Sequence, residues 1–427
     1  MKALLIAVCM LAMSGAVVAQ DRVVIQDEAA QSAWREDVDT LIEQLIAIHP
    51  QPFFRFPESE FRRVAAQLED DLPYLTDDQI IAELARITAM LDGHTYLFLL
   101  QPSAGFHLYP IRLFAFDEGV YVVNAAPEYR DLIGQRLLSV NDIPAQSVLD
   151  MLAPYSSSDN PFYLRLWLPA LLVMPELLQA LGVIDALDQP RFEFMDAAGE
   201  LVTADFGPIS LTDYIGWNQD SLYALIGLPS RDETPFLSGS SEAFWSTLLD
   251  DTATLYVQYN QVARSSASGM TISALAGAIQ EAAEQGTAER LVIDLRNNGG
   301  GDNTTYGPLL RSIQQSEFNQ PGRLFVLTSR LTFSAGKDFA LDVQQGTDGI
   351  FVGEPTGGMP NNYGDNRLVR LPNSGLEVRI AARNIARSGE ADPGLWIAPD
   401  VWVPITAADY FGGRDAALEA ALAYRSE

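Results

Sequence analysis

Between Leu255 and Gly353 the chain alternates short apolar runs with helical stretches, and this alternation restricts its fold more than any other feature. Leu255 to Tyr259 reads as a half-buried strand, and Arg290 to Leu295, Arg323 to Thr328 and Ile350 to Gly353 read as buried ones. The intervening spacing predicts helices over Met270 to Glu284 (with Gly286 just past its end), Tyr306 to Gln315 and Ser334 to Gln345. Strands that take turns with helices imply an α/β architecture: a parallel sheet joined by right-handed crossovers. Two more strands are expected around Arg367 to Leu371 and Leu376 to Ala381.

Upstream the pattern differs. Glu28 to His49, Ser59 to Leu72 and Thr76 to Leu91 carry helical periodicity. Thr76 stands at an N-cap position, and Asp77 and Asp78 suit the positive end of a helix dipole. After Thr95 the period shortens. Tyr109 to Phe116 and Gly119 to Asn124 look like strands joined by an Asp117-Glu118-Gly119 turn. Leu132 to Pro144, with its Asn141-Asp142 turn and a helix from Ala145, is how a PDZ-type module reads. From Leu164 to Leu181 a long apolar stretch is broken by Pro169 and Pro175, and the Pro- and Ser-rich segment from Gly227 to Ser241 reads as a linker. The expected organisation is a leader over 1–19, a helical domain over 20–95, a PDZ-like and connecting region over 96–240, and the α/β core over 241–427.

The leader reads as a secretory signal, with Lys2, an apolar run from Ala3 to Met13, and small residues Val17-Val18-Ala19 before Gln20. An exported protein, periplasmic or secreted, is therefore expected. No other stretch nears ~18 uninterrupted apolar residues, so no membrane span is expected. Cys9 is the single cysteine and lies in the leader. Disulfides, a cysteine nucleophile and thiolate metal sites are thereby excluded from the processed chain. With 56 acidic against 27 basic side chains and a net charge of −29, the surface repels nucleic acid and anionic lipid.

Acyl transfer needs a nucleophile at a sharp turn, N–H groups aimed at the developing oxyanion, and a base. Ser334 follows the buried strand Arg323 to Thr328 and opens a helix, which places its hydroxyl near the positive helix end and the Ala335 N–H beside it. The competing reading makes Ser334 a simple N-cap. Gly299-Gly300-Gly301, directly after another buried strand, offers backbone that can approach a substrate closely. The run lacks a Gly-Lys-Ser/Thr ending and the Gly-x-Gly-x-x-Gly pattern, which argues against a nucleotide site.

Three segments, Leu291 to Gly301, Thr332 to Gly336 and Val352 to Gly358, resemble in order and spacing the tail-specific serine peptidases and their tricorn-like branch, to which the retinoid-binding modules are related. The resemblance spans about Leu255 to Pro404. It implies a crotonase-like ββα core, peptide-bond hydrolysis without a cofactor, a Ser334 nucleophile, and an oxyanion hole from Gly299, Gly300 and Ala335. A peptide or protein would be the substrate.

The resemblance also has gaps. Many members of that family carry a lysine base where this chain has Met359, within Thr356 to Pro360, and methionine cannot move a proton. His94, in Asp92-Gly93-His94-Thr95, matches the histidine of the tricorn-like branch and is the expected base, with Thr95 a possible helper. The other two histidines, His49 and His107, sit at a helix end and a strand entry. Lys337, one helical turn after Ser334, is the rival base. For the carboxylate that orients the base the resemblance names Asp392 first and Glu390 second. No His-Glu-x-x-His occurs, so no metal ligand is assigned. The missing lysine leaves one reading from another class open: a catalytically silent peptide- or lipid-binding protein on the same fold.

Overall fold

The computed structural model describes residues 27–218, 225–231, 234–239, 241–389 and 394–425. The leader and the two carboxylates Glu390 and Asp392 lie outside the described residues.

The expected parallel sheet is present and longer than anticipated. Six strands lie in the order Val401–Trp402, Ile350–Gly353, Leu324–Thr328, Arg290–Asp294, Thr254–Tyr259 and Phe244–Leu249. The first five run parallel, and Phe244–Leu249 closes one edge antiparallel. Side chains alternate between the faces of these strands. Leu291, Ile293, Leu324 and Val326 bury against the helices Ile272–Gln285, Gly307–Gln315 and Ser334–Gly346. Tyr256, Val292, Phe325 and Leu327 face the other way, with the C-terminal helix Ala416–Ala423. Thr254–Tyr259 is buried at every position, more deeply than its sequence suggested, because helices cover both faces.

The N-terminal helices form as expected, at Glu28–Ile48, Glu58–Asp71 and Asp77–Ala89. Thr76 and Gln79 cap the third with a reciprocal capping box. They share one core with a second sheet, ordered Ile111–Phe116, Gly119–Ala125, Arg136–Val140, Phe192–Met195 and Leu201–Ala204. Asn141 and Asp142 both adopt left-handed conformations, which makes the tight turn read from the sequence. The apolar stretch resolves into helices Pro161–Leu171 and Pro175–Ala180.

One expectation is corrected. The described part of Gly227 to Ser241 is not a linker, because Leu228, Phe236 and Leu237 are buried in a cluster with Phe114 and Leu331. The guanidinium of Arg296 lies 3.9 Å over the Phe236 ring. Among the described residues, no helix is long and apolar enough to cross a membrane.

Candidate active site

The glycine run and the turn before Ser334 lie at the carboxyl ends of adjacent parallel strands, where parallel sheets place their sites. Hydrogen bonds join the two loops. Thr332 Oγ1 donates to the Leu295 carbonyl at 2.8 Å, Ser329 Oγ to the Arg296 carbonyl at 2.6 Å, and Phe333 N–H to the Asn298 carbonyl at 2.9 Å. Asn298 is fully buried; its amide donates to the Tyr259 carbonyl at 2.8 Å and its Oδ1 accepts the Gly300 N–H at 3.0 Å.

Ser334 sits at φ +47°, a left-handed conformation that costs a non-glycine residue strain of about 1–3 kcal/mol. The N-cap of its helix is Phe333, and Ser334 makes no capping hydrogen bond, so the simple capping reading fails. The Gly300 backbone explains how the serine is reached. A Cβ there would stand 2.7 Å from Ser334 Cβ, 3.2 Å from Ser334 Oγ and 3.1 Å from the Ala335 nitrogen. The Ala335 N–H, in the first helical turn, has no intrahelical acceptor. Gly299 lines the same pocket. The Gly300 N–H is committed to Asn298, so Gly300 serves to make room; its expected donor role does not fit this geometry.

His94 lines that pocket with Ser334. Three contacts hold it. Its N–H donates to Asp92 Oδ1 at 2.5 Å, its carbonyl accepts from Asn366 Nδ2 at 2.7 Å, and its ring stacks on Phe333 at 4.5 Å with an interplanar angle of 19°. Phe333 in turn stacks on Tyr163 at 4.1 Å. The residue preceding the nucleophile thus fixes the imidazole plane. Among the described residues, Nδ1 of His94 is buried and without a hydrogen-bond partner, an arrangement that is unfavourable unless something approaches it.

Two carboxylates share this turn. Asp92, Asp159 and a His94 ring nitrogen lie within 4.8 Å of one another. Asp92 is saturated: Oδ1 also accepts the Thr95 N–H, and Oδ2 accepts Thr95 Oγ1 at 3.0 Å and His49 Nε2 at 2.7 Å. His49 Nδ1 accepts the Gln51 N–H, which leaves the proton on Nε2 facing Asp92. Burial would raise the Asp92 carboxyl, but the hydrogen bond from His49 and the neighbouring His94 outweigh it and hold it below the ordinary range. Asp159 goes the other way. Burial lifts it above the ordinary range against the pull of His94 and of the Gly93 N–H, which donates to its Oδ1 at 2.8 Å. Little in the sequence marks Asp159; its only local cue is the Asn160 cap and Pro161 that start the next helix.

The other candidates fall elsewhere. Thr95 is fully buried, donates to Asp92 and accepts the Ala381 N–H, so its hydroxyl is structural. Lys337 is fully buried, and its ammonium meets Asp338 at 2.6 Å, Asn362 Oδ1 at 3.0 Å and the Pro360 carbonyl at 3.3 Å. Desolvation lowers its pKa against the attraction of Asp338, and neither Ser334 nor His94 is among these three partners. Met359 is buried, and its backbone N–H donates to Asp159 Oδ2 at 3.5 Å.

No family model matches the chain, and no curated protein matches it in sequence. Among solved structures it is similar to mature CPAF complexed with lactacystin, at a TM-score of 0.65 and 14% identity, covering 92% of this chain and 98% of that one. It is also similar to mature CPAF alone (TM-score 0.61, 14% identity, 89% and 94% covered) and to a CPAF mutant (0.63, 14%, 93% and 99%). The fold of this chain is therefore that of mature CPAF over almost its whole length.

Proposed function

We propose that the protein is an exported serine peptidase that cleaves peptide bonds through an acyl-enzyme on Ser334, with His94 as general base. The observation that carries this reading is the left-handed Ser334 at a helix start, pressed against Gly300, in one pocket with a histidine whose buried Nδ1 lacks a partner among the described residues. The segments resembling tail-specific peptidases and the shared fold with CPAF support it.

Ser334 Oγ attacks the scissile carbonyl carbon while His94 takes the hydroxyl proton. The Ala335 N–H, with Gly299 alongside, faces the oxyanion. The tetrahedral species collapses, His94 returns the proton to the leaving amine, and the new amino terminus departs. Water then attacks the acyl-serine ester and gives a proton to His94, which passes it to Ser334 Oγ as the ester C–O bond breaks and the carboxylic acid leaves. The same reading gives the six-stranded sheet and its helices the role of a crotonase-like core, takes 96–240 as the PDZ-like and connecting region, and removes residues 1–19 on export.

Asp159 is the carboxylate we assign to support the imidazole, with Asp392 and then Glu390 as the alternatives from the resemblance. Asp159→Asn is expected to lower kcat/KM about 10- to 100-fold, by the scale of lost orienting partners. It should not destabilise the fold at neutral pH. The carboxyl is raised in the folded state, so its ionisation costs stability as pH climbs above the unfolded value. The variant lacks that cost, and its melting temperature should gain on wild type as pH rises from about 3 to 7. Unchanged kcat/KM would pass the role to Asp392 or Glu390.

A casein-type unfolded substrate tests the activity: the processed protein should cleave it and Ser334→Ala should not. A folded wild-type protein that cleaves nothing favours the silent binding protein.

A further inference from the structure

We propose that Arg379 reads a carboxylate on the substrate, so that the site prefers a chain bearing a large apolar side chain near Ser334 and an acidic side chain or free C-terminus beside it. The inference deepens the peptidase reading and rests on it for cleavage, but not for binding.

The cavity that holds His94 and Ser334 encloses about 490 Å³. Its walls are largely apolar or aromatic, among them Leu97, Phe98, Trp167, Leu171 and Met174. Such walls take large hydrophobic side chains by releasing water. A second basin of about 390 Å³ shares Phe98, Tyr163, Trp167, Gly299 and Phe333 with the first, so a bound chain has room to continue past the nucleophile.

Among the described residues lining the main cavity, Arg379 is the one permanent charge. It lies on Glu377–Ile380, where Val378 and Ile380 are fully buried and Arg379 is exposed, so its side chain stands on the open face. There it pairs across the sheet with Tyr96, another lining residue. An acid is near at hand: Glu377 shares its strand face, but pairs with Arg370 at 2.7 Å. Among the described residues Arg379 itself makes no ion pair. The nearby Asn366 amide is committed to the His94 carbonyl. On a chain with a net charge of −29, an uncompensated guanidinium beside an apolar cavity suits a carboxylate, which it can hold in a two-pronged, charge-assisted contact.

The test measures binding without turnover. Fluorescein-labelled Ala-Ala-Phe-Leu-Ala, as free acid and as amide, is titrated against the Ser334→Ala protein by fluorescence polarisation. Two further amides carry Glu or Gln as the last residue. The free acid, the Glu peptide or both should bind about tenfold tighter than the uncharged counterpart, which separates terminus from side chain. In Ser334→Ala/Arg379→Gln that preference should fall to about onefold, with the uncharged peptides bound as before and the melting temperature unchanged. Equal binding of all four peptides, or a preference that survives Arg379→Gln, overturns the proposal. Peptidase failure shows separately: if wild type cleaves no peptide while the Arg379-dependent preference persists, the cleavage reading falls and the carboxylate site stands.

Discussion

Gly300→Ala is expected to reduce peptide hydrolysis by at least about 10³-fold while the protein still folds. The added methyl would lie 2.7 Å from Ser334 Cβ, and both neighbours are held by backbone, so the serine must move. A displacement near 1 Å at a reacting group costs on the order of 10²-fold in rate, and crowding of the Ala335 N–H removes oxyanion stabilisation worth a similar factor. The φ of +119° adds backbone strain. Gly269→Ala separates the two effects. Gly269 also has a positive φ, of +88°, but nothing lies within 4 Å of its built Cβ. It should lose stability and keep its activity. Equal activity of Gly300→Ala and wild type would contradict the placement of the nucleophile.

His94→Ala should lower kcat by roughly 10⁴-fold or more, since a serine without its base loses nearly the whole catalytic unit. The fold should persist, because the turn is held by Asp92 through backbone N–H groups and Thr95. Lys337→Met makes the contrast. Removing the ammonium takes from Asp338 its shortest ion pair, leaving it Asn303 at 3.3 Å and Arg387 at 3.9 Å, and takes from Asn362 Oδ1 its donor, at a cost of about 2–4 kcal/mol. Its activity per folded molecule should stay within about threefold of wild type. Thermal melting and initial rates on a single peptide read both variants. A stable but inactive Lys337→Met beside an active His94→Ala would exchange the two roles.

The parts of the site that the sequence revealed are those whose chemistry is local. A glycine run after a buried strand and a serine opening a helix keep their meaning wherever the chain takes them, and the parallel sheet brings them together. His94 needed the resemblance, since nothing local separates a base from a histidine after a helix. Asp159 comes from a stretch without clear periodicity and reaches the His94 turn through a contact 66 residues distant in sequence. Leu228, Phe236 and Leu237 looked like linker because prolines and serines surround them, yet apolar side chains bury wherever a neighbour offers a surface. The edge strand Phe244–Leu249 was missed because half-exposed residues interrupt its apolar pattern. Arg379 reads as one charge among many until Tyr96 is seen across from it.

The central claim, an activated serine at position 334, is tested most directly by labelling the processed protein with a fluorophosphonate and mapping the modified peptide. Wild type should carry the label on Ser334, and both Ser334→Ala and His94→Ala should remain unlabelled while melting as folded proteins. A folded wild-type protein that takes no label, or takes it at another residue, would contradict the account.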